Sequence, residues 1–223
     1  IGGFSFSITE LRDASDIEVR ELFLRLQEGS TLTPPEKRNA MVSNMRDFVH
    51  DMAHKPLLGK TTAPNNRFQH DDYAAHACRL EVAGGPADLK AADLKKFYEQ
   101  EKDFDENSSS AKKVKKVFNF LDRAFVEPTP ELKIKWGFID LYLLTSYLLD
   151  NYVMKDRHED VFNFYIGLET ARKEVEDESE LLSTGSAWDR DLYYYIEAFK
   201  TQGATRTNLE KRQQIYLYKF LND

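Results

Sequence analysis

His50 and His54 stand four residues apart, the spacing that places two imidazoles on one helix face where they could share a metal ion. His70, Asp71, Asp72 and His76 form a second polar cluster, but the spacing supplies no third ligand for the first pair, and a solvated helix face accounts for it equally. No metal site is therefore expected. Lys112, Lys113, Lys115 and Lys116 form the only dense basic run. Lysines in the first turns of a helix oppose its dipole, so the run needs a reason. Nucleic-acid phosphate is one reason, and local balance by Asp103, Asp105 and Glu106 is the other. Tyr193, Tyr194 and Tyr195, with Phe199, Tyr216, Tyr218 and Phe220, could stack bases or pack between helices. The chain has no Gly-rich phosphate loop, nucleophile elbow or zinc signature, so its catalytic residues are unassigned.

The elements that must position these groups are helices. Apolar residues recur at helical spacing from about residue 15 onward, and three Ser/Thr–x–x–Glu segments read as capping boxes: Ser15 with Glu18, Thr33 with Glu36, and Thr207 with Glu210. Gly29 is a stop for the first helix. Pro34 opens a second helix whose Met41, Met45, Phe48, Val49 and Met52 share one face. Residues 55–69 read as a loop, 70–82 as a helix ended by Gly84-Gly85, and Pro86 as the start of a helix through Gln100. Asp103 to Ser110 is polar and expected to be mobile. Val114 to Phe125 marks an amphipathic helix broken at Pro128. Thr129-Pro130 is expected to start a long helix through Tyr152, apolar almost all round and hence central. Helices near 156–180, 187–200 and 206–222 complete an all-α, multi-helix bundle. Phe4 to Ile8 alternates like a strand, and a lone strand needs partners outside this segment.

The 223 residues are 41% hydrophobic, enough for one sizeable core or two small ones. The net charge is −7, which argues against a uniformly basic, DNA-coating protein but leaves room for a local patch. Cys78 is the single cysteine, which fits a reducing, cytoplasmic setting. Asp140 and Asp150 interrupt the longest apolar stretch, so no membrane association is expected. The chain opens Ile1-Gly2-Gly3 with neither an initiator Met nor a signal segment, and is expected to begin inside a longer protein.

Residues 22–40 carry a denser pattern: Phe23, Arg25, Leu26, Gly29, Leu32, Glu36, Arg38, Asn39 and Ala40, with Gln27 after Leu26. This resembles the second signature of the GmrSD-like family of type IV restriction and phage-defence proteins, which have a ParB-like N-terminal domain. Gln27 stands where that signature has Asn. Asn66-Arg67-Phe68, Phe97-Tyr98 and Phe138 to Tyr142 resemble the helical remainder of such proteins. The family's other signature, Asp-Gly-Gln-Gln-Arg, is absent here. The resemblance implies that residues 1–30 are the end of an upstream ParB-like domain with a junction helix, and that 31–223 form an α-helical domain. It implies the helical part of a nucleotide-dependent, modified-DNA restriction protein. A DNA or nucleotide site shared with an upstream domain would use Phe23, Arg25, Gln27, Glu36, Arg38 and Asn39, joined by Lys112, Lys113 and Lys116. No cofactor is expected in this segment itself. A nucleoside triphosphate and a divalent metal belong to the longer protein, and DNA would be reached through it.

The residues leave two readings of Arg38. On a continuous helix it lies about 60° from Met41, at ~100° per residue, inside the apolar arc. An unpaired charge there is costly, and Glu36 faces the other side, so Arg38 requires a buried acid, a helix C-terminus or an anionic ligand. For the whole chain the two readings are a part of a restriction enzyme and a non-catalytic helical module that binds a protein partner or self-assembles.

Overall fold

The computed structural model describes residues 10, 12–26 and 32–222, with backbone alone at 21 and 23–26. Every regular element among them is helical: α1 (Asp16–Leu26), α2 (Pro34–Asn39), α3 (Asn44–Ala53), α4 (Pro56–Lys60), α5 (Gln69–Ala83), α6 (Ala91–Gln100), α7 (Ser109–Ala124), α8 (Lys135–Asn151), α9 (His158–Glu174), α10 (Glu178–Leu181), α11 (Ala187–Lys200) and α12 (Arg206–Asn222). Short 3-10 turns occupy Asn66–Phe68 and Pro130–Lys133. The strand expected at Phe4–Ile8 and the stop expected at Gly29 lie outside the described residues.

The core is built around α8, as its all-round apolarity predicts. Phe138, Ile139, Leu141, Tyr142, Leu144 and Leu148 are all buried, and α5, α7, α9 and α12 pack against this helix. Two acids enter this core. Asp140 Oδ2 accepts from Arg212 Nε at 2.7 Å, and Arg212 also donates to the backbone carbonyls of Ala198 and Gly203. Glu169 is matched by Arg172 at 2.7 Å. Gly137 is required where α8 meets α9, because a Cβ there would fall 2.9 Å from the Tyr165 hydroxyl.

Two capping boxes form as expected. The Ser15 amide donates to Glu18 at 2.8 Å, and the Thr33 amide donates to Glu36 at 2.7 Å. The third does not: α12 already begins at Arg206, whose amide donates to Asp88 Oδ1 at 3.0 Å, so Thr207 lies within the first turn.

Local competition accounts for the other differences from the sequence reading. The helix expected to run through Arg38 and Met52 breaks after Asn39 and restarts at Asn44, because the Ser43 hydroxyl accepts the Arg46 amide at 3.0 Å and caps a new helix. Pro56 begins α4 inside the expected loop. Residues 86–90 are not helical; α6 begins at Ala91, where Asp93 accepts the Lys90 amide. Asp103 to Ser110 is pinned rather than loose, since Phe104 is buried against Phe48 and Ser108 caps α7. Pro130 starts only a 3-10 turn, and the extended Ile134 delays α8 to Lys135.

Candidate functional site

Arg38 is 3% exposed, and its partner is a partly buried acid: Nη2 donates to Asp72 Oδ1 at 2.5 Å. Lys135 holds the other carboxylate oxygen at 2.9 Å. Burial alone would raise the Asp72 carboxyl, but the surrounding His76, Lys135 and Arg38 hold it at about 2. The break after Asn39 removes the wheel argument that placed Arg38 in an apolar arc. The side chain is buried nonetheless, because the short α2 packs on α5 and α6 and sets the guanidinium 5.8 Å from the Tyr98 ring.

Glu36 also finds a partner across the chain. Arg67 grips it with two bonds, Nε to Oε1 at 3.0 Å and Nη2 to Oε2 at 2.8 Å. That grip, with the Thr33 hydroxyl and amide, holds the Glu36 carboxyl down at about 2. Arg67 and Phe68 both take positive φ, 53° and 62°. Two consecutive non-glycine residues in that region cost about 1 kcal/mol or more each.

Arg38, Arg67, Asp72 and Lys135 line one cleft of about 520 Å³, while Glu36 lies outside its lining. Its walls include Thr33, Arg38 and Arg67 on one side, Asp72 and His76 on α5, Lys135 and Trp136 at the start of α8, and Leu89, Lys90 and Ala204 on the far side. The far wall is held by the Leu89 amide donating to the Ala204 carbonyl at 2.9 Å. His76 is 2% exposed. Its Nδ1 lies 2.5 Å from the Asp72 carbonyl, which can only accept, so Nδ1 carries the hydrogen. Burial lowers the ring to about 4 against the pull of Asp72, so at neutral pH His76 is uncharged and Nε2 is a bare acceptor. That Nε2 and Arg38 Nε are buried without a hydrogen-bond partner. The cleft thus combines four cationic side chains, one carboxylate and a neutral acceptor.

Asn39 does not join this cleft. It lines a narrow gap with Pro35, Arg46 and Tyr98. The side chains of Phe23 and Arg25, and the whole of Gln27, lie outside the described residues. Asp72, His76, Lys90 and Lys135 are the members that sequence reasoning missed as a site. Asp72 and His76 belong to the polar cluster at 70–76, and no sequence signal marks Lys90 or Lys135.

The basic run divides. Lys113 is structural: it is bonded to Asp150 and, at 2.9 Å, to the Ser146 carbonyl. Lys112, Lys115 and Lys116 line a groove of about 720 Å³ with Arg123, Tyr152 and Lys155. The acids expected to balance the run make no side-chain ion pair with it among the described residues: Asp103, Asp105 and Glu106 line a neighbouring hollow with Asp47 and Asp51.

His50 and His54 are engaged locally, His50 Nδ1 with Asp71 at 2.9 Å and His54 Nδ1 with the His50 carbonyl at 2.7 Å. Among the described residues no three His, Cys, Asp or Glu side chains are grouped so as to hold a metal. No helix among them is long and apolar enough to cross a membrane. Tyr195 and Tyr216 are buried core partners, while Tyr194 and Tyr218 are exposed. Comparison of the chain with protein-family models, curated proteins and solved structures yields no match.

Proposed function

We propose that this chain is the helical part of a nucleotide-dependent, modified-DNA restriction protein of anti-phage defence, and that the cleft beside Arg38 contributes to its DNA or nucleotide site. The observation that carries this reading is the coincidence of Arg38, a residue of the signature-like segment, with a cleft holding three further cations and two buried groups that lack partners. A phosphate fits among the cations of such a cleft, Lys90, Lys135 and Arg67, and a hydroxyl or amino donor fits His76 Nε2. Trp136 offers a ring to an aromatic base.

Titration of the purified chain with a nucleoside triphosphate and with a short DNA duplex tests the reading. Saturable binding of one of them is expected, weakened at least tenfold by Lys90→Glu, which alters an exposed side chain at the rim. Binding that ignores Lys90→Glu, or no binding of either ligand, contradicts it.

A second reading, a non-catalytic interaction or assembly module, is favoured by the exposed Leu182, Tyr194, Tyr218 and Leu221 on the C-terminal elements. Concentration-dependent self-association in sedimentation, abolished by Tyr218→Ser, would support it.

A further inference from the structure

The groove between α7 and the end of α8 stands apart from the Arg38 cleft. Trp136 belongs to the cleft and Leu149 to the groove, and thirteen residues of one helix separate them, about 20 Å along its axis. Lys112, Lys116, Asn119, Phe120 and Arg123 recur at i, i+4, i+7, i+8 and i+11, so α7 turns one continuous face to the groove. Lys155, on the segment after α8, closes the opposite side. The lining holds five lysine and arginine side chains against one carboxylate, Asp156, in a chain whose net charge is −7.

Packing accounts for some of these charges. Lys116 lies 3.4 Å from the Leu149 carbonyl at the C-terminal end of α8, where the helix dipole favours a cation. Lys115 lies 3.3 Å from the Glu106 carbonyl and over the Phe48 ring. The exposed side chains of Lys112, Arg123 and Lys155 have no ion pair or hydrogen bond among the described residues. Three cations without ion pairs, set beside Lys115 and Lys116 on a chain of net charge −7, attract a linear polyanion. Aromatic surface lies beside them. Tyr152 is 44% exposed and has Tyr147 6.4 Å away, while Phe120 and His158 stack at 4.3 Å in the floor.

We propose that this groove binds single-stranded nucleic acid, with Lys112, Arg123 and Lys155 on successive phosphates and Tyr152 stacking on a base. The exposed ring favours a single strand, because a duplex offers phosphates to the cations but no unstacked base to Tyr152.

Fluorescence anisotropy of the full chain with labelled oligo-dT, and with a duplex of the same length, tests the assignment. Saturable oligo-dT binding is expected at about 50 mM salt, with a log–log salt slope near −2, from ~0.7 per phosphate contact on a single strand. Lys112→Glu/Arg123→Glu/Lys155→Glu should weaken binding at least tenfold with an unchanged circular dichroism spectrum. Tyr152→Ala should weaken it by roughly tenfold. Lys95→Glu, on the exposed side of α6, should leave it unchanged. Should the triple variant misfold, Lys155→Glu alone, on an exposed segment, must still weaken binding measurably. Absence of saturable oligo-dT binding, or its retention by the charge-reversed chain, overturns the proposal. Duplex binding as tight as oligo-dT binding, with no effect of Tyr152→Ala, overturns the single-strand assignment.

Discussion

Arg38 and His76 sit within one network, and both show how far residue types alone reach. Arg38 has an acid partner, but not for the reason its place among methionines offers, since the helix breaks after Asn39; Asp72 itself was not legible, because it is thirty-four residues away and is brought close only by packing of α2 on α5. His76 was invisible as a special group, since burial and the carbonyl that fixes its tautomer are tertiary facts. Its chemistry gives a pH prediction. The folded ring titrates near 4, below the ordinary 6.5, so the unfolded chain takes up the proton first. The stability linked to a neutral His76 is complete above pH 6.5 and is lost as pH falls from 6.5 to 4, by up to about 3 kcal/mol. Asp140 works the other way. Burial, only partly offset by Arg212, raises it to about 6, so it removes stability as pH rises from 3.8 to 6. The His76 contribution is isolated by comparing the chain with His76→Gln in denaturant titrations at pH 7 and pH 4.5. The variant should lose about 2–3 kcal/mol less between the two. Equal losses would mean that His76 is solvated and ordinary.

Individual helices carry predictions of a different size. Replacing the fully buried Leu144 of α8 with Ala should cost about 2–5 kcal/mol in chemical denaturation; a change under about 0.5 kcal/mol would make α8 peripheral. Gly137→Ala sets about 1 kcal/mol of gained helix propensity against about 1–3 kcal/mol of overpacking. The second should win, because the Tyr165 hydroxyl it meets is buried and donates to the Glu131 carbonyl at 3.0 Å, leaving it nowhere to yield. A raised melting temperature would show that α8 and α9 separate easily. Arg212→Ala, which strands Asp140 in the core, should cost about 3–5 kcal/mol, and Asp140→Asn in the same chain should recover part of that loss. Helix existence was legible from apolar periodicity, most clearly for 187–200 and 206–222, which match α11 and α12 end for end. The interruptions at Ala40–Ser43 and at Ile134 were not, because the apolar pattern runs through both and only a capping serine or an extended residue breaks the chain there.

At the scale of the whole molecule, charge is sorted rather than spread. A net charge of −7 coexists with a basic groove at one end of α8 and a cation-lined cleft at the other. The basic run pointed to the groove. Arg123 lies seven residues beyond the run and Lys155 thirty-nine, so neither belongs to its pattern, and the neighbours of Lys113 do not reveal that it turns to Asp150. Under the proposed function the chain alone should bind without turning over a nucleoside triphosphate, since no complete catalytic set was found in its sequence. Turnover abolished by a point change within it would contradict that. The central claim is that Arg38 serves a ligand as well as Asp72. Arg38→Ala alone does not separate these roles, because it also takes from the partly buried Asp72 one of its two cationic partners. Arg38→Met with Asp72→Asn removes both charges and leaves only the half-buried Lys135 without its carboxylate partner. The decisive measurement places this double change in the complete gene product and follows thermal unfolding and phage restriction in parallel. The account predicts a melting temperature close to that of the unaltered protein with restriction lost. A folded double variant that still restricts phage would show that Arg38 does no more than neutralise Asp72.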